Sequence, residues 1–334
     1  MAIINGTDND DVLRALASLD IVNGLAGDDD LSSAFHETTL NGGSGNDVLS
    51  LQPLQDTNEA PFFCVLNGGD GDDVLSGSGN STFLNGDAGN DEISIAGHSN
   101  ALFGGAGDDR LHIAGGDVNF LSGGDGDDHL DGATSEAVFR GGSGNDTLEL
   151  SSGFLVDLHG EDGDDYLAGS GTGIRLFGGA GNDIIEGNFS GLPEDFSNVL
   201  EGGDGDDVLR VNGNAILIGG NGSDTFILGA TGPDKFITDF QHAGRGKDAL
   251  RIEDVLNVHE VFDSLQIDKP LGALVGQGYL VVESNANVGG DSAADTVVQV
   301  DADGRAGSSP PQMIVTLFDT TLATHGQDMN NWLV

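Results

Sequence analysis

The chain has 334 residues, with 56 Asp or Glu against only 11 Lys or Arg, a formal net charge of −45. So acidic a chain excludes nucleic acid and anionic membrane as direct partners, because both are held by basic patches. Glycine is as common as all the acids together, cysteine occurs once, and no apolar run is long enough to cross a bilayer, so neither a disulfide framework nor a membrane span is expected.

Met1 to Asn5 has no basic segment, no long apolar stretch and no small-residue cleavage site, so no N-terminal signal peptide is expected. From there a Gly/Asp-rich loop opens twelve times, at Gly6, Gly24, Gly42, Gly68, Gly86, Gly104, Gly123, Gly141, Gly160, Gly178, Gly202 and Gly219, mostly 18 or 19 residues apart. Among the plainest copies are Gly42-Gly43-Ser44-Gly45-Asn46-Asp47-Val48-Leu49 and Gly202-Gly203-Asp204-Gly205-Asp206-Asp207-Val208-Leu209. A fixed period of that size predicts a solenoid. Consecutive glycines allow tight turns that gather carbonyl oxygens, and the aspartate at the sixth position adds a hard anionic oxygen. Such an oxygen-only shell suits calcium rather than zinc or copper. The large apolar residue at the eighth position points back into the interior, since side chains alternate along a strand.

The other half of each turn lacks the Gly-Asp pattern but also ends in apolar residues. Leu40, Leu66, Leu84, Phe103, Leu121, Phe139, Leu158, Leu176, Leu200 and Ile216 are expected to form an inward ladder facing Leu49, Leu75, Ile93, Leu111, Leu130, Leu148, Leu167, Ile185 and Leu209. One metal row along one edge follows, and twelve loops leave eleven gaps, an upper count of about eleven ions. Two steps are long: 26 residues from Gly42 to Gly68 and 24 from Gly178 to Gly202. These additions, near residues 51–63 and 189–197, read as surface insertions with Phe62 or Phe63 tucked into the core and Cys64 a small buried residue.

At this point the chain resembles the repeats-in-toxin (RTX) family of hemolysin-type, secreted bacterial calcium-binding proteins, whose nonapeptide is Gly-Gly-x-Gly-x-Asp-x-apolar-x. The resemblance implies an all-β fold: a right-handed parallel β-roll, an RTX solenoid of about 18 residues per turn, followed by a β-rich C-terminal cap and secretion region. It also implies calcium ligands at Asp11, at Gly24, Gly27 and Asp29, at Gly42, Gly45 and Asp47, at Gly68, Gly71 and Asp73, and at Gly86, Gly89 and Asp91. The set continues with Gly104, Gly107 and Asp109, Gly123, Gly126 and Asp128, Gly141, Gly144 and Asp146, and Gly160, Gly163 and Asp165. Gly178, Gly181 and Asp183, Gly202, Gly205 and Asp207, and Gly219, Gly222 and Asp224 complete it. Thr7, Leu25, Asp87 and Glu161 replace the second glycine and Asn9 the fourth, which makes the first repeat the weakest site.

Residues 1–228 are read as the roll and 229–334 as a capping and type I secretion-signal region. The last repeat continues into Phe236-Ile237-Thr238-Asp239-Phe240 and Asp248-Ala249-Leu250-Arg251-Ile252, which resemble the family's capping segment. Strands are expected at Tyr279–Glu283, Thr296–Val300 and Met313–Phe318 by alternation and β-branching, with Asp301–Gly304 a turn. The chain stops on Asn331-Trp332-Leu333-Val334, an apolar end like those of many type I substrates. Residues 1–232 carry a net −36 and the remainder −9, so without cations the repeats should repel one another and stay largely unfolded. Calcium affinity then becomes folding energy, and affinities of roughly 10⁻⁴ to 10⁻³ M would leave the chain unfolded in the cytosol and folded outside.

No catalytic constellation is expected. His36-Glu37 has Leu40 where a second zinc-protease histidine belongs, and Ser44 and Ser143 lack the closing glycine of a nucleophile elbow. His98, His112, His129 and His159 read as surface residues. Repeats, cap and secretion region are read as filling the given chain, so a separate catalytic domain is not expected. The favoured class is a secreted, extracellular or cell-surface, non-enzymatic calcium-binding protein serving adhesion, matrix or signalling. Its partners are calcium, the type I secretion apparatus and an extracellular polysaccharide or cell-surface component. The alternative is a polysaccharide-active protein of alginate-epimerase or lyase type, with Arg110, Arg140, Arg175 and Arg210 meeting an acidic glycan.

Overall fold

In a computed structural model, which describes residues 1–54, 59–189, 198–229 and the backbone of five later strands, the chain is an all-β parallel solenoid. It divides into two compact units, Met1–Leu167 and Ala168–Val334. In the first unit one sheet consists of β1 (Ile3–Asn5), β3 (Ile21–Ala26), β5 (Thr39–Ser44), β7 (Val65–Asp70), β9 (Phe83–Ala88), β11 (Ala101–Ala106), β13 (Phe120–Asp125), β15 (Val138–Ser143) and β17 (Asp157–Asp162). The second consists of β2 (Val12–Arg14), β4 (Asp30–Ser33), β6 (Val48–Leu51), β8 (Val74–Ser78), β10 (Glu92–Ala96), β12 (Arg110–Asp117), β14 (His129–Ser135) and β16 (Thr147–Phe154). Neighbouring strands are parallel and in register, with shifts only late in β12–β14 and β14–β16, so the same repeat position stacks turn upon turn.

Alternation explains the strands. In β5 and β7 half-buried and buried residues follow one another, and the apolar members fill the space between the sheets. Leu49, Leu75, Ile93, Leu111, Leu130, Leu148 and Leu167 are fully buried, as the period required. Each such side chain contributes about 1.5–3 kcal/mol of burial. The facing ladder runs through Leu40, Leu66, Leu84, Leu121, Phe139 and Leu158. One rung differs from expectation: Leu102, not Phe103, points inward, because Leu102 pairs with Leu84 and Leu121. Two adjacent apolar residues left the face ambiguous, and the register decided it.

The corner opposite the Gly-Asp loops is built differently. One residue per turn there is left-handed, including Leu19, Glu37, Phe63, Ser81, Ser99, Val118, Glu136 and Leu155. The next residue turns inward, which stacks Asp20, Thr38, Cys64, Thr82, Asn100 and Asn119 in the interior. Their polar groups are satisfied along the stack: Asn100 Oδ1 accepts from the Thr82 N–H at 3.0 Å, and Asn119 Oδ1 from the Asn100 N–H at 2.9 Å. Cys64 is buried, as expected. Phe62 and Phe63 are not in the core. They are 37% and 62% exposed, and Phe62 stacks on His36 with ring centroids 3.7 Å apart. The interior place at this turn belongs to Cys64, whose volume fits a column of small residues.

After β18 (Tyr166–Thr172), the second unit continues the pattern. β19 (Arg175–Ala180), β21 (Val199–Asp204), β23 (Ala215–Asn221) and β25 (Asp234–Ile237) form one parallel set. The other consists of β20 (Ile184–Phe189), β22 (Val208–Asn212), β24 (Thr225–Leu228) and β26 (Ala249–Ile252). Leu176, Leu200, Ile185 and Leu209 are buried as expected, but Leu217 takes the inward place given to Ile216. The cause again is register, since Leu217 pairs with Leu200. β27 (Leu280–Ala286), β28 (Asp295–Val300) and β29 (Met313–Leu317) are antiparallel neighbours, close to the three strands expected, and β29 pairs with β25. The expected turn at Asp301–Gly304, the chain end at 331–334 and most of the 189–197 insertion lie outside the described residues.

Candidate metal centre

Each Gly-Asp loop is the corner through which the chain passes from the first sheet to the second. In the loops after the first, the second and fourth positions have positive φ: Gly43 and Gly45 stand at 125° and 124°, where a side chain would be strained. Leu25, Asp87 and Glu161 hold the same left-handed backbone without being glycine, so the turn is kept at some cost. The first glycine is required for a different reason. A Cβ on Gly42 would lie 2.2 Å from Asp47 Oδ2 and 2.6 Å from the carbonyl oxygen of Gly68 in the next turn. The same pair of oxygens, the loop's own carboxylate and the next turn's glycine carbonyl, surrounds Gly24, Gly68, Gly86, Gly104, Gly141, Gly178 and Gly202.

Two hydrogen-bond ladders lock successive corners together. In the first unit each sixth-position N–H donates to the next turn's sixth-position Oδ1, from Asp11 to Asp29 and onward through Asp47, Asp73, Asp91, Asp109, Asp128 and Asp146 to Asp165, at 2.7 or 2.8 Å. Asp183, Asp207 and Asp224 continue this pattern in the second unit. The fifth position forms a ladder of opposite sense: the Asn46 N–H donates to Asp28 Oδ1 at 2.9 Å, and the Asp72 N–H to Asn46 Oδ1 at 3.0 Å. Sequence reasoning missed this role. The only signal was that Asp or Asn occupies the fifth place in nearly every loop.

The second carboxylate oxygen is left over. Oδ2 of Asp29, Asp47, Asp73, Asp91, Asp109, Asp128, Asp146 and Asp207 is buried and receives no hydrogen bond. An uncompensated buried carboxylate costs several kcal/mol and must gain a proton or a cation. Burial accordingly raises these acids: Asp47, Asp91 and Asp146 to about 6, Asp73, Asp109 and Asp207 to about 7, and Asp128 to about 8. The N–H bond from the preceding turn pulls each one back, and neighbouring carboxylates push it up again. Asp29 is raised for the same cause. Asp11 differs, because Thr7 satisfies its Oδ2 through the backbone N–H at 2.6 Å and the hydroxyl at 2.9 Å. The first loop therefore lacks the orphan oxygen that the later ones share.

These residues fit calcium. The available donors are carboxylate and carbonyl oxygens, which a hard divalent cation prefers. Among the described residues no three His, Cys, Asp or Glu side chains converge on one point, so backbone carbonyls must complete any shell. The sequence model of the RTX calcium-binding nonapeptide repeat, in four copies, matches residues 3–34, 38–51, 65–93, 96–130, 113–148, 136–153, 175–189 and 194–230, together more than half of the chain. The chain belongs to the RTX calcium-binding repeat family. No curated protein matches this RTX chain. Among solved structures it is similar to a hyperactive, Ca2+-dependent, β-helical antifreeze protein from an Antarctic bacterium, determined by X-ray crystallography. That likeness has 24% identity and a TM-score of 0.52 and covers 75% of this chain and 82% of the other. At that identity it concerns the fold alone.

The other sequence candidates are dispersed. Arg110 lies on β12 of the second sheet, 3.6 Å from Asp131, and Arg140 on β15 of the first sheet, paired with Glu161. In the second unit Arg210 pairs with Glu186 at 3.3 Å and Arg175 lies over the Phe177 ring. His98 is exposed, whereas His112 and His129 flank Asp131 at 2.8 and 3.6 Å. No helix is long and apolar enough to cross a membrane among the described residues.

Proposed function

We propose that this RTX protein is a secreted, non-enzymatic calcium-binding protein that folds on reaching a calcium-rich exterior and serves adhesion, matrix or signalling there. The observation that carries the reading is the row of buried, unpartnered Oδ2 atoms from Asp29 to Asp146, which at every corner but that of Asp128 share the space at the first glycine with a glycine carbonyl of the following turn. Asp29, Asp47, Asp73, Asp91, Asp109, Asp128, Asp146 and Asp207, with the first-position glycine carbonyls, would hold the ions; Asp165, Asp183 and Asp224 occupy the same repeat position. Bound calcium supplies positive charge where the folded chain gathers negative charge. The chain contributes stacked corners whose ladders already fix Oδ1, leaving Oδ2 and the carbonyls for the cation.

Residues 229–334 serve in this reading as cap and type I secretion signal. The four arginines do not support the polysaccharide-modifying alternative: Arg110 and Arg140 lie on different sheets of the first unit, and both face carboxylates. Titration calorimetry and circular dichroism on the full chain test the proposal. Strand content that rises with calcium, with several ions bound per chain, is expected; equal strand content in excess chelator at pH 8 and in millimolar calcium refutes it. Export by a type I machine that is lost on deleting residues 229–334 is the matching test for secretion.

A further inference from the structure

A strip along the outer face of the first sheet is uncharged. In β1, β3, β5, β7, β9, β11 and β13 the inward apolar residue, such as Leu40 or Leu66, is flanked by two outward ones, and none of these flanking residues from Ile3 to Ser122 is ionisable; the exposed Asp70 and Asp87 lie further along β7 and β9, toward the Gly-Asp corner, where Asp87 Oδ1 accepts from Asn85 Nδ2 at 2.6 Å. The second sheet of the same unit shows what chance placement looks like: its outward positions include Arg14, Asp30, Glu92, Arg110, His112 and Asp131. In a chain of net charge −45, seven successive uncharged pairs call for a reason. At about 4.8 Å per strand this strip is on the order of 30 Å long.

Two further features say what it offers. Asn23, Asn41 and Asn67 form an amide ladder, each Nδ2 donating to the Oδ1 of the asparagine one turn before, at 2.7, 2.7 and 2.8 Å, the first of them to Asn5. An amide has two N–H donors and two lone pairs, so each rung keeps a donor and an acceptor turned to solvent. Beyond the ladder Phe83, Phe103 and Phe120 lie together, with ring centroids 5.0 and 5.4 Å apart and planes tilted by 32° and 43°. Aromatic faces carry negative charge density that attracts the C–H edges of a sugar ring.

We infer that this strip binds an uncharged polysaccharide, whose hydroxyls meet the asparagine ladder and whose C–H faces meet the three phenylalanines. An acidic glycan is disfavoured by the charge of the rest of the chain, whereas a neutral polymer meets no repulsion. The inference rests on the extracellular reading above and supplies its partner class.

The test uses the calcium-loaded full chain, retained on insoluble cellulose, chitin and unsubstituted β-glucan and on alginate as the acidic control, with circular dichroism confirming the fold. Retention on at least one neutral glycan, insensitive to salt, is expected. The combined change Phe83→Ala, Phe103→Ala and Phe120→Ala should lower it at least tenfold, Asn41→Asp with Asn67→Asp should weaken it further, and Glu92→Ala on the other sheet should leave it unchanged. A folded, calcium-loaded chain that ignores all neutral glycans overturns the inference while leaving the calcium reading intact. Preference for alginate, undiminished retention in the triple variant, or a face-to-face dimer abolished by that variant overturns it as well. If calcium fails to fold the chain, the proposed function fails instead.

Discussion

Acidifying the calcium-free protein from pH 8 to pH 5 should increase its β-structure, the reverse of ordinary acid denaturation. In the folded corner Asp47, Asp91 and Asp146 titrate near 6, Asp73, Asp109 and Asp207 near 7 and Asp128 near 8, all above the unfolded value of 3.8. Raised carboxylates stabilise the fold fully below the unfolded pKa, and that stabilisation disappears as pH rises through 6 to 8. Solvent reaching the corner screens these shifts, and keeping only about a quarter of each leaves roughly 1 kcal/mol per carboxylate. Together these groups then supply about 5–7 kcal/mol, comparable to the net stability of a whole domain. The assay is circular dichroism and urea unfolding in excess chelator between pH 4 and 9, with proton release measured when calcium is added at pH 7. Stability rising toward low pH, and protons released by calcium, are expected. Stability that falls monotonically below pH 7, with no proton release, refutes the reasoning that the orphan oxygens must be neutralised.

Asp109→Asn keeps Oδ1 for the Asp91 N–H but removes the charge beside the Gly123 carbonyl; losing a charged contact of about 1.5–3 kcal/mol should weaken calcium at that corner about 10- to 100-fold by calorimetry. Gly104→Ala places a Cβ 2.2 Å from Asp109 Oδ2 and 2.6 Å from the Gly123 carbonyl, and such overpacking should cost about 1–3 kcal/mol and raise the calcium midpoint of folding; an unchanged midpoint contradicts the corner geometry. Leu25→Gly relieves an exposed leucine held at φ 90°, and a gain of about 0.5–1 kcal/mol, read as a higher melting temperature in calcium, is expected. Leu111→Ala opens a hole in the fully buried ladder and should lose about 2–5 kcal/mol in urea unfolding at saturating calcium.

The repeat itself determined the solenoid, the corner glycines and aspartates and most of the core, because stacking identical turns makes period and position equivalent. From spacing alone Asp29 to Asp146 were singled out, and the same eighth-position rule placed Leu49 to Leu167 inside. Tertiary structure decided what the period left degenerate. Leu102 and Phe103 are both apolar neighbours, and only pairing with Leu84 and Leu121 turned the phenylalanine outward to join Phe83 and Phe120. The insertion's phenylalanines stayed outside because a column of small, hydrogen-bonded residues already filled that corner and admitted Cys64 alone. The fifth-position ladder, the asparagine ladder and the orphaned Oδ2 atoms arise between residues 18 to 26 apart in sequence, contacts that exist only once one turn lies upon the next.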